Sequence, residues 1–153
     1  MHEYKVNVLR VVDGDTVDVD IDLGFSTWLK KQRIRLYGID TPETRTRDLD
    51  EKKYGKMATN FLSDTIKDAE VVALRTHKDK KGKYGRILGE IICDGVNMNQ
   101  VMVETHLAVA YFGQSKEEIA EQHLQNRELI DHQTLFGHNE CCLLYTSDAA
   151  DDP

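Results

Sequence analysis

The sequence predicts a mainly β protein, a five-stranded barrel with helices packed on its outside. Segments with strand-like alternation of polar and apolar residues recur from Lys5 to Cys93, separated by tight turns such as Asp13-Gly14-Asp15. One helical pattern falls between the third and the fourth of these segments. Closure into a small barrel accounts for short strands that alternate in polarity, and this order of elements is that of an OB-fold barrel.

The first two strands have the clearest pattern. Lys5 to Val12 has strand character, and a strictly alternating segment follows the turn. Four apolar residues of that segment are expected to face the core, namely Val17, Val19, Ile21 and Leu23. The intervening aspartates are expected to face solvent, namely Asp18, Asp20 and Asp22.

The later elements complete the barrel. Gly24 to Lys31 is expected to form a loop or an extended hairpin tip, and Arg33 to Ile39 a third strand. Further predicted elements are a charged loop (Thr44 to Lys53), a helix starting at Tyr54-Gly55, a strand (Glu70 to Thr76), a basic turn (His77 to Lys83), a strand (Tyr84 to Cys93), a short helix (Met98 to Thr105) and an extended piece (Ala108 to Phe112). The last helix is expected over Lys116 to Gln133, with a Ser115–Glu118 capping box and an imperfect apolar stripe of Ile119, Leu124, Leu129 and Ile130.

The composition is that of one ordinary soluble domain. The 153 residues are 40% hydrophobic and 31% charged. No apolar run approaches the ~20 residues of a membrane span, and the N-terminus lacks a signal-peptide pattern, which predicts a cytoplasmic product. The three cysteines form neither a disulfide framework nor a zinc spacing, and Cys93 is expected to be a small core residue.

The C-terminal segment does not belong to the predicted domain. Cys142 to Pro153, C-L-L-Y-T-S-D-A-A-D-D-P, resembles the translation of a sequencing-library adapter. We therefore expect one domain over residues 1–140 and an artefactual tail over 142–153, with the true C-terminus missing; a disordered acidic tail is the alternative. The net charge of −7 argues against loose electrostatic binding to nucleic acid. Without the tail, 20 basic and 24 acidic residues leave −4.

Four residues with side-chain oxygens fall in two turns of the predicted barrel, namely Asp15 after the first strand and Asp40, Thr41 and Glu43 after the third. Hard divalent cations take oxygen ligands, and two carboxylates with carbonyls and waters form an open site. The two turns can meet in a small barrel. Turn formation alone explains Asp13-Gly14, whereas a plain turn needs neither Glu43 nor the nearby Arg35. The pattern predicts a metal site beside a phosphate.

Two arginines, Arg35 and Arg86, are candidates for binding that phosphate. Guanidinium groups bind phosphate oxygens in a fork and stabilise charge that develops during displacement; alternatively, both are ordinary surface residues on strands. Tyr84 and Tyr111, with Lys83 and its basic neighbours, suit single-stranded nucleic acid, where bases stack and phosphates pair with cations. Either tyrosine could equally lie at the rim of the core.

These segments together resemble the staphylococcal-nuclease (thermonuclease) family. The resemblance rests on an ordered set of short motifs: V-D-G-D-T-V (Val12 to Val17), R-L-Y-G-I-D-T-P-E (Arg35 to Glu43), Y-G-K-M-A (Tyr54 to Ala58), K-Y-G-R (Lys83 to Arg86) and L-A-V-A-Y (Leu107 to Tyr111). Each motif is weak, but their order is specific, and they lie within residues 5 to 133.

The resemblance implies an OB-fold barrel with three helices and a calcium-dependent phosphodiesterase that cuts DNA and RNA, leaving 3′-phosphate ends. It implies the following roles: calcium ligands Asp15, Asp40 and the Thr41 carbonyl; general base Glu43; phosphate clamp Arg35 and Arg86; neighbouring-phosphate ligands Lys83 and Tyr84; and base or sugar contact Tyr111. Single-stranded substrate and a monomeric enzyme are expected. A cytoplasmic nuclease would endanger its host, which favours a phage- or plasmid-encoded gene.

Three departures from the family pattern affect substrate affinity more than catalysis. The segment between Asp15 and Arg35 is several residues longer, which lengthens a hairpin. Gly113 stands where a second tyrosine is expected, and the chain is acidic.

The alternative function is a non-catalytic OB-fold module that binds single-stranded nucleic acid. Such modules tend to lose the carboxylates, which are present here.

Overall fold

The computed structural model describes residues 2–81 and 87–136. Its long strands are β1 (Glu3–Asp13), β2 (Thr16–Gly24), β3 (Thr27–Leu36), β5 (Val72–Lys81) and β6 (Ile87–Cys93), and its two-residue strands are β4 (Ile39–Asp40), β7 (Val96–Asn97) and β8 (Val109–Ala110). The helices of the described part are α1 (Leu49–Asp68), α2 (Met98–Glu104) and α3 (Lys116–Phe136).

The five long strands close into a barrel in the order β3-β2-β1-β5-β6. All neighbouring pairs are antiparallel except the closing one, in which β3 runs parallel to β6 with Arg35 opposite Leu88. Since α1 connects β4 to β5, the observed topology confirms the predicted OB-fold barrel with its three helices.

The barrel interior holds a single apolar cluster that also receives α1 and α2. Four residues that the polarity pattern assigned to the inside are fully buried, namely Val17, Val19, Ile34 and Leu36. Burial of each such side chain contributes about 1.5–3 kcal/mol to folding. Cys93 is 4% exposed, which confirms it as a core residue, and burial raises the pKa of its thiol to about 11.

Two residues of β2 depart from the predicted alternation. Asp20 is 8% exposed instead of facing solvent, because a register irregularity interrupts the β2–β3 pairing beside it. Its carboxylate accepts a hydrogen bond from the Lys31 amide at 2.8 Å, and this bond lowers the pKa of Asp20. Leu23 is 46% exposed, because β2 continues beyond the core into the hairpin.

The hairpin between β2 and β3 is extended almost to its tip. Thr27 pairs with Gly24, so that β3 starts at Thr27 rather than at Arg33. Only Phe25 and Ser26 form the turn, both with positive φ. The prediction of an extended hairpin tip is confirmed, and the loop alternative is wrong.

The first helix starts earlier than predicted. Residues Leu49 to Lys53 belong to α1 rather than to a loop, because the Asp48 side chain caps the helix. Its Oδ1 accepts hydrogen bonds from the amides of Asp50 and Glu51 at 3.0 and 3.2 Å. The charged first turn concealed this start, since apolar spacing begins only at Tyr54.

Two other predictions concern the second half of the chain. His77 to Lys81 continues β5 instead of turning, whereas 82–86, and with it the predicted start of the fifth strand, lies outside the described residues. Ser115 Oγ accepts a hydrogen bond from the Glu118 amide at 3.3 Å, as expected for a helix cap.

The predicted tail also lies outside the described residues. None of the described helices combines the length and apolar content that crossing a membrane requires.

Candidate functional site

The two turns that carry the predicted carboxylates meet at the end of β3. Asp15 Oδ2 accepts a hydrogen bond from the Thr41 amide at 3.1 Å, and Asp15 Oδ1 accepts one from the Thr16 hydroxyl at 3.1 Å. The Asp15 carbonyl accepts a third bond, from the Leu36 amide at 2.8 Å. Asp15 is 9% exposed and is therefore a fixed part of the site.

Two glycines allow both turns to lie directly on α1. A Cβ on Gly14 would stand 2.7 Å from the Ala58 Cβ. A Cβ on Gly55, within α1, would stand 2.7 Å from the Pro42 carbonyl oxygen and 2.8 Å from that of Glu43. Since real Cβ contacts are longer, only glycine permits this approach of turn and helix. The close contact with α1 therefore fixes the position of the turn that carries Glu43.

Arg35 bridges the two carboxylates. Its Nη1 lies 3.4 Å from Asp15 Oδ2, and its Nη2 lies 3.5 Å from Asp40 Oδ1. Nη1 also donates to the Leu36 carbonyl at 3.0 Å. The Arg35 side chain is 17% exposed, whereas Arg33, two residues earlier, is 48% exposed and forms an ion pair with Asp18. One face of β3 thus points a single guanidinium into the site.

Glu43 lies in a negative electrostatic environment. The residue as a whole is exposed, but partial burial raises the pKa of its carboxyl group. The negative charges of Asp15, Asp13 and Asp40 raise that pKa further. A carboxylate of this kind releases and accepts protons closer to neutral pH than an ordinary glutamate does.

The site opens into a cleft of about 880 Å³. Predicted site residues line it, namely Arg35, Asp40, Thr41, Glu43 and Tyr111. Tyr111 is 43% exposed, and its amide donates to the Gly38 carbonyl at 2.8 Å, which attaches the tyrosine to the chain just after β3. Lys83, Tyr84 and Arg86 lie outside the described residues, so their predicted roles stay predictions.

Sequence reasoning missed His123, which lies in the site. Its Nε2 is 2.8 Å from Asp40 Oδ2, and its side chain is 12% exposed. His123 follows the partly buried Ile119 by four residues and so occupies the inner face of α3. Leu124 and Leu129, which belong to the predicted imperfect apolar stripe, are 55% and 45% exposed and do not pack in the core. The spacing from Ile119 was the available signal.

Sequence reasoning also missed Asn99, a buried amide that supports β3. Its Nδ2 donates to the carbonyls of Tyr37 and Gly89 at 2.8 and 3.2 Å, and its Oδ1 accepts from the Ile91 amide at 3.2 Å. Asn99 is 4% exposed. Behind the cleft, Asn99 therefore connects two parts of the chain, namely the segment that follows Arg35 and strand β6.

The donor atoms of the predicted metal ligands at this site, Asp15, Asp40 and Thr41, are oxygens. Among the described residues, no group of three or more histidines, cysteines and carboxylates assembles at metal-binding distances. The two carboxylates that share Arg35 would therefore need a backbone carbonyl and water to complete a coordination shell. Thr41 Oγ1 is buried and has no hydrogen-bond partner within the described part of the chain.

Comparison with known proteins identifies relatives for most of this chain. A thermonuclease of Staphylococcus hyicus is 34% identical over 111 residues, which are 72% of this chain and 62% of that protein. The endonuclease YhcR of Bacillus subtilis is 34% identical over 116 residues, 72% of this chain and 9% of the endonuclease. An uncharacterized protein of Bacillus anthracis is 34% identical over 105 residues, 69% of this chain and 46% of that protein. The chain spans less than two thirds of each relative.

The model of one protein family matches the chain from the end of β3 through most of α3. The match covers residues 33–130 and is to the staphylococcal nuclease homologues. It includes Arg35, Asp40, Glu43 and His123, whereas Asp15 precedes it. Since the match extends over more than half of the sequence and agrees with the observed topology, the chain belongs to the staphylococcal nuclease homologue family.

Proposed function

We propose that this chain is a metal-dependent nuclease that hydrolyses phosphodiester bonds of DNA or RNA. One observation carries the proposal: a guanidinium, two carboxylates and a third carboxylate with a raised pKa converge at the end of β3, namely Arg35, Asp15, Asp40 and Glu43. All of them except Asp15 line the cleft. The relatives that are called thermonuclease and endonuclease support the same class of reaction.

The oxygen atoms of the site fit a hard divalent cation, and we take calcium as that ion. Asp15 and Asp40 contact the same guanidinium, so their carboxylates face one small region. The Thr41 hydroxyl in the same turn is buried and has no hydrogen-bond partner among the described residues, which supports a further oxygen ligand beside the two aspartates. Calcium held by the two aspartates and the Thr41 carbonyl would supply charge neutralisation at a phosphate oxygen and orientation of the attacking water.

The charged side chains supply the remaining chemistry. Glu43 would accept the proton of the attacking water, directly or through a second water, and its raised pKa suits this role near neutral pH. Arg35 would donate N–H groups to the phosphate oxygens that become more negative during displacement. Its two carboxylate partners lie at 3.4 and 3.5 Å, which are long for charged hydrogen bonds, so that a phosphate could replace these contacts while Nη1 keeps its bond to the Leu36 carbonyl. Arg86 would complete the clamp.

The substrate is proposed to be single-stranded DNA or RNA. The exposed ring of Tyr111 on the cleft would lie against a base or sugar, and Lys83 with Tyr84 would bind the neighbouring phosphate. Cleavage of the 5′ oxygen–phosphorus bond, which leaves a 3′-phosphate, and action as a monomer complete the proposal.

A digestion assay tests this function. The full chain is incubated with denatured DNA and with RNA, first with calcium and then with excess chelator. We expect cleavage with calcium and none with chelator, and fragment ends that support primer extension only after phosphatase treatment. A shift of the nucleic acid on a native gel without cleavage under either condition would instead support the non-catalytic binding module.

A further inference from the structure

The described arrangement gives Asp40 a partner from a distant part of the chain. His123 Nε2 lies 2.8 Å from Asp40 Oδ2, across a separation of 83 residues. A carboxylate only accepts hydrogen bonds, so the histidine Nε2 carries the proton in this contact. The His123 side chain is 12% exposed, so the histidine side of the contact is shielded from solvent.

The backbone around Asp40 gives its side chain little support. Asp40 lies in the two-residue strand β4, which pairs only with the equally short β8 within the described sheets. Its side chain is 31% exposed, whereas that of Asp15 is 12% exposed and accepts bonds from Thr41 and Thr16. The two oxygens of Asp40 depend on side chains instead, Oδ1 on Arg35 at 3.5 Å and Oδ2 on His123 at 2.8 Å.

Contacts other than the His123–Asp40 pair hold the second half of α3. The Tyr54 hydroxyl lies 2.7 and 2.8 Å from the two carboxylate oxygens of Asp131, joining α3 to α1. The Asn126 side chain donates to the Ala108 carbonyl at 3.3 Å, and the Arg127 guanidinium lies 5.4 Å from the centre of the Tyr54 ring. The helix is therefore held along its second half, and His123 is available for another task.

We propose that His123 is a positioning residue for Asp40, which fixes the carboxylate in the orientation that a divalent cation requires. The inference deepens the proposed function and rests on the same site. By holding Oδ2, His123 turns Oδ1 toward Arg35 and Asp15, so that the two aspartates face one region. A hydrogen-bonded partner of this kind selects one rotamer of a ligand before the ion arrives.

Metal affinity measured without substrate tests the proposal. The full chain is titrated with Tb³⁺, a luminescent substitute for calcium, and calcium competition gives the dissociation constants. We expect His123→Ala to weaken both affinities by about tenfold or more, with kcat on denatured DNA lowered more than KM is raised. His123→Gln retains an N–H donor on a side chain of similar reach and should restore part of the affinity.

Tyr54→Phe is the matched control, because it removes the α3–α1 hydrogen bond and leaves Asp40 untouched. It should lower the urea midpoint of unfolding without changing the Tb³⁺ affinity. His123→Ala with wild-type affinity would overturn the proposal, as would a wild-type chain that binds no Tb³⁺. A chain that binds Tb³⁺ but never cleaves nucleic acid refutes the nuclease function only, and the His123 variants still decide the positioning role.

Discussion

The guanidinium of Arg35 lies 3.4 Å from Oδ2 of Asp15, and both side chains are more than four-fifths buried. Arg35 also contacts Asp40, and its positive charge offsets the two aspartates, whose negative charges act on the nearby carboxyl group of Glu43. In the folded protein the arginine and the acids therefore depend on one another, so we expect substitution of Arg35 to disturb the charge balance as well as the proposed phosphate binding.

Arg35→Ala is expected to lower kcat by about 10²–10³-fold, the usual effect of removing one group that stabilises transition-state charge. The measurement is steady-state cleavage of denatured DNA with calcium. Retention of full activity would rule out Arg35 as a phosphate ligand.

Arg33→Ala is the control for this substitution. It removes a guanidinium from the same strand, but Arg33 bonds Asp18 at 2.8 and 3.1 Å and does not line the cleft. Activity should remain near wild type, and stability should fall by about 0.2–1 kcal/mol, as for an exposed ion pair. Equal loss of activity in both variants would indicate a non-specific effect of charge.

Glu43→Gln is expected to lower kcat by about 10²-fold or more while KM changes little, because the amide cannot accept the proton of the attacking water. The fold and the cleft should persist, since the two side chains have the same shape. Rates measured across a pH series test the role. A variant that keeps the wild-type rate and pH profile would exclude Glu43 as the base.

The same substitution should raise stability at neutral pH. The pKa of Glu43 is higher in the folded state, so this group contributes stability that is present below its ordinary pKa and is lost as pH rises through the folded pKa. Glu43→Gln should match wild type in acid and exceed it by about 0.5 kcal/mol at neutral pH, a value appropriate to an exposed group. Urea unfolding in chelator at the two pH values measures the difference. Greater stability of wild type at neutral pH would contradict this charge arrangement.

The residues that β3 contributes to the site could be predicted from the sequence, because they follow a period-two alternation of apolar and polar residues. Ile34 and Leu36 are buried while Arg33 and Arg35 lie on the opposite face, as period-two alternation predicts. Asp15 approaches the β3 turn because its neighbour Thr16 pairs with Arg35 in the antiparallel β2–β3 register.

The missed residues have roles that only the tertiary structure defines. His123 occupies a position on α3 where an apolar side chain is the usual occupant, and its partner is 83 residues away. Asn99 would be read as an ordinary polar residue at a helix start, but it is buried and forms three backbone hydrogen bonds. Periodicity cannot identify such contacts, because they depend on which surfaces meet after folding.

Asn99→Ala is expected to destabilise the protein by about 2–3 kcal/mol, since it removes three hydrogen bonds to backbone groups of Tyr37, Gly89 and Ile91. Chemical denaturation monitored by Trp28 fluorescence or circular dichroism provides the value. The comparison is Asn97→Ala, which removes only the N-cap of α2 and should cost about 1 kcal/mol. Equal costs would show that the Asn99 amide contributes no more than a cap.

Gly55→Ala should destabilise the protein although alanine favours helices by about 1 kcal/mol. The new Cβ would stand 2.7 Å from the Pro42 carbonyl oxygen and 2.8 Å from that of Glu43, and neither backbone atom can rotate away. We expect a net loss of about 1–3 kcal/mol and reduced cleavage, because relief of the contact shifts the turn that carries Glu43. Asn60→Ala, on an exposed face of α1, introduces the same side chain and should leave activity unchanged. A Gly55→Ala protein more stable than wild type would show that the turn does not pack against the helix.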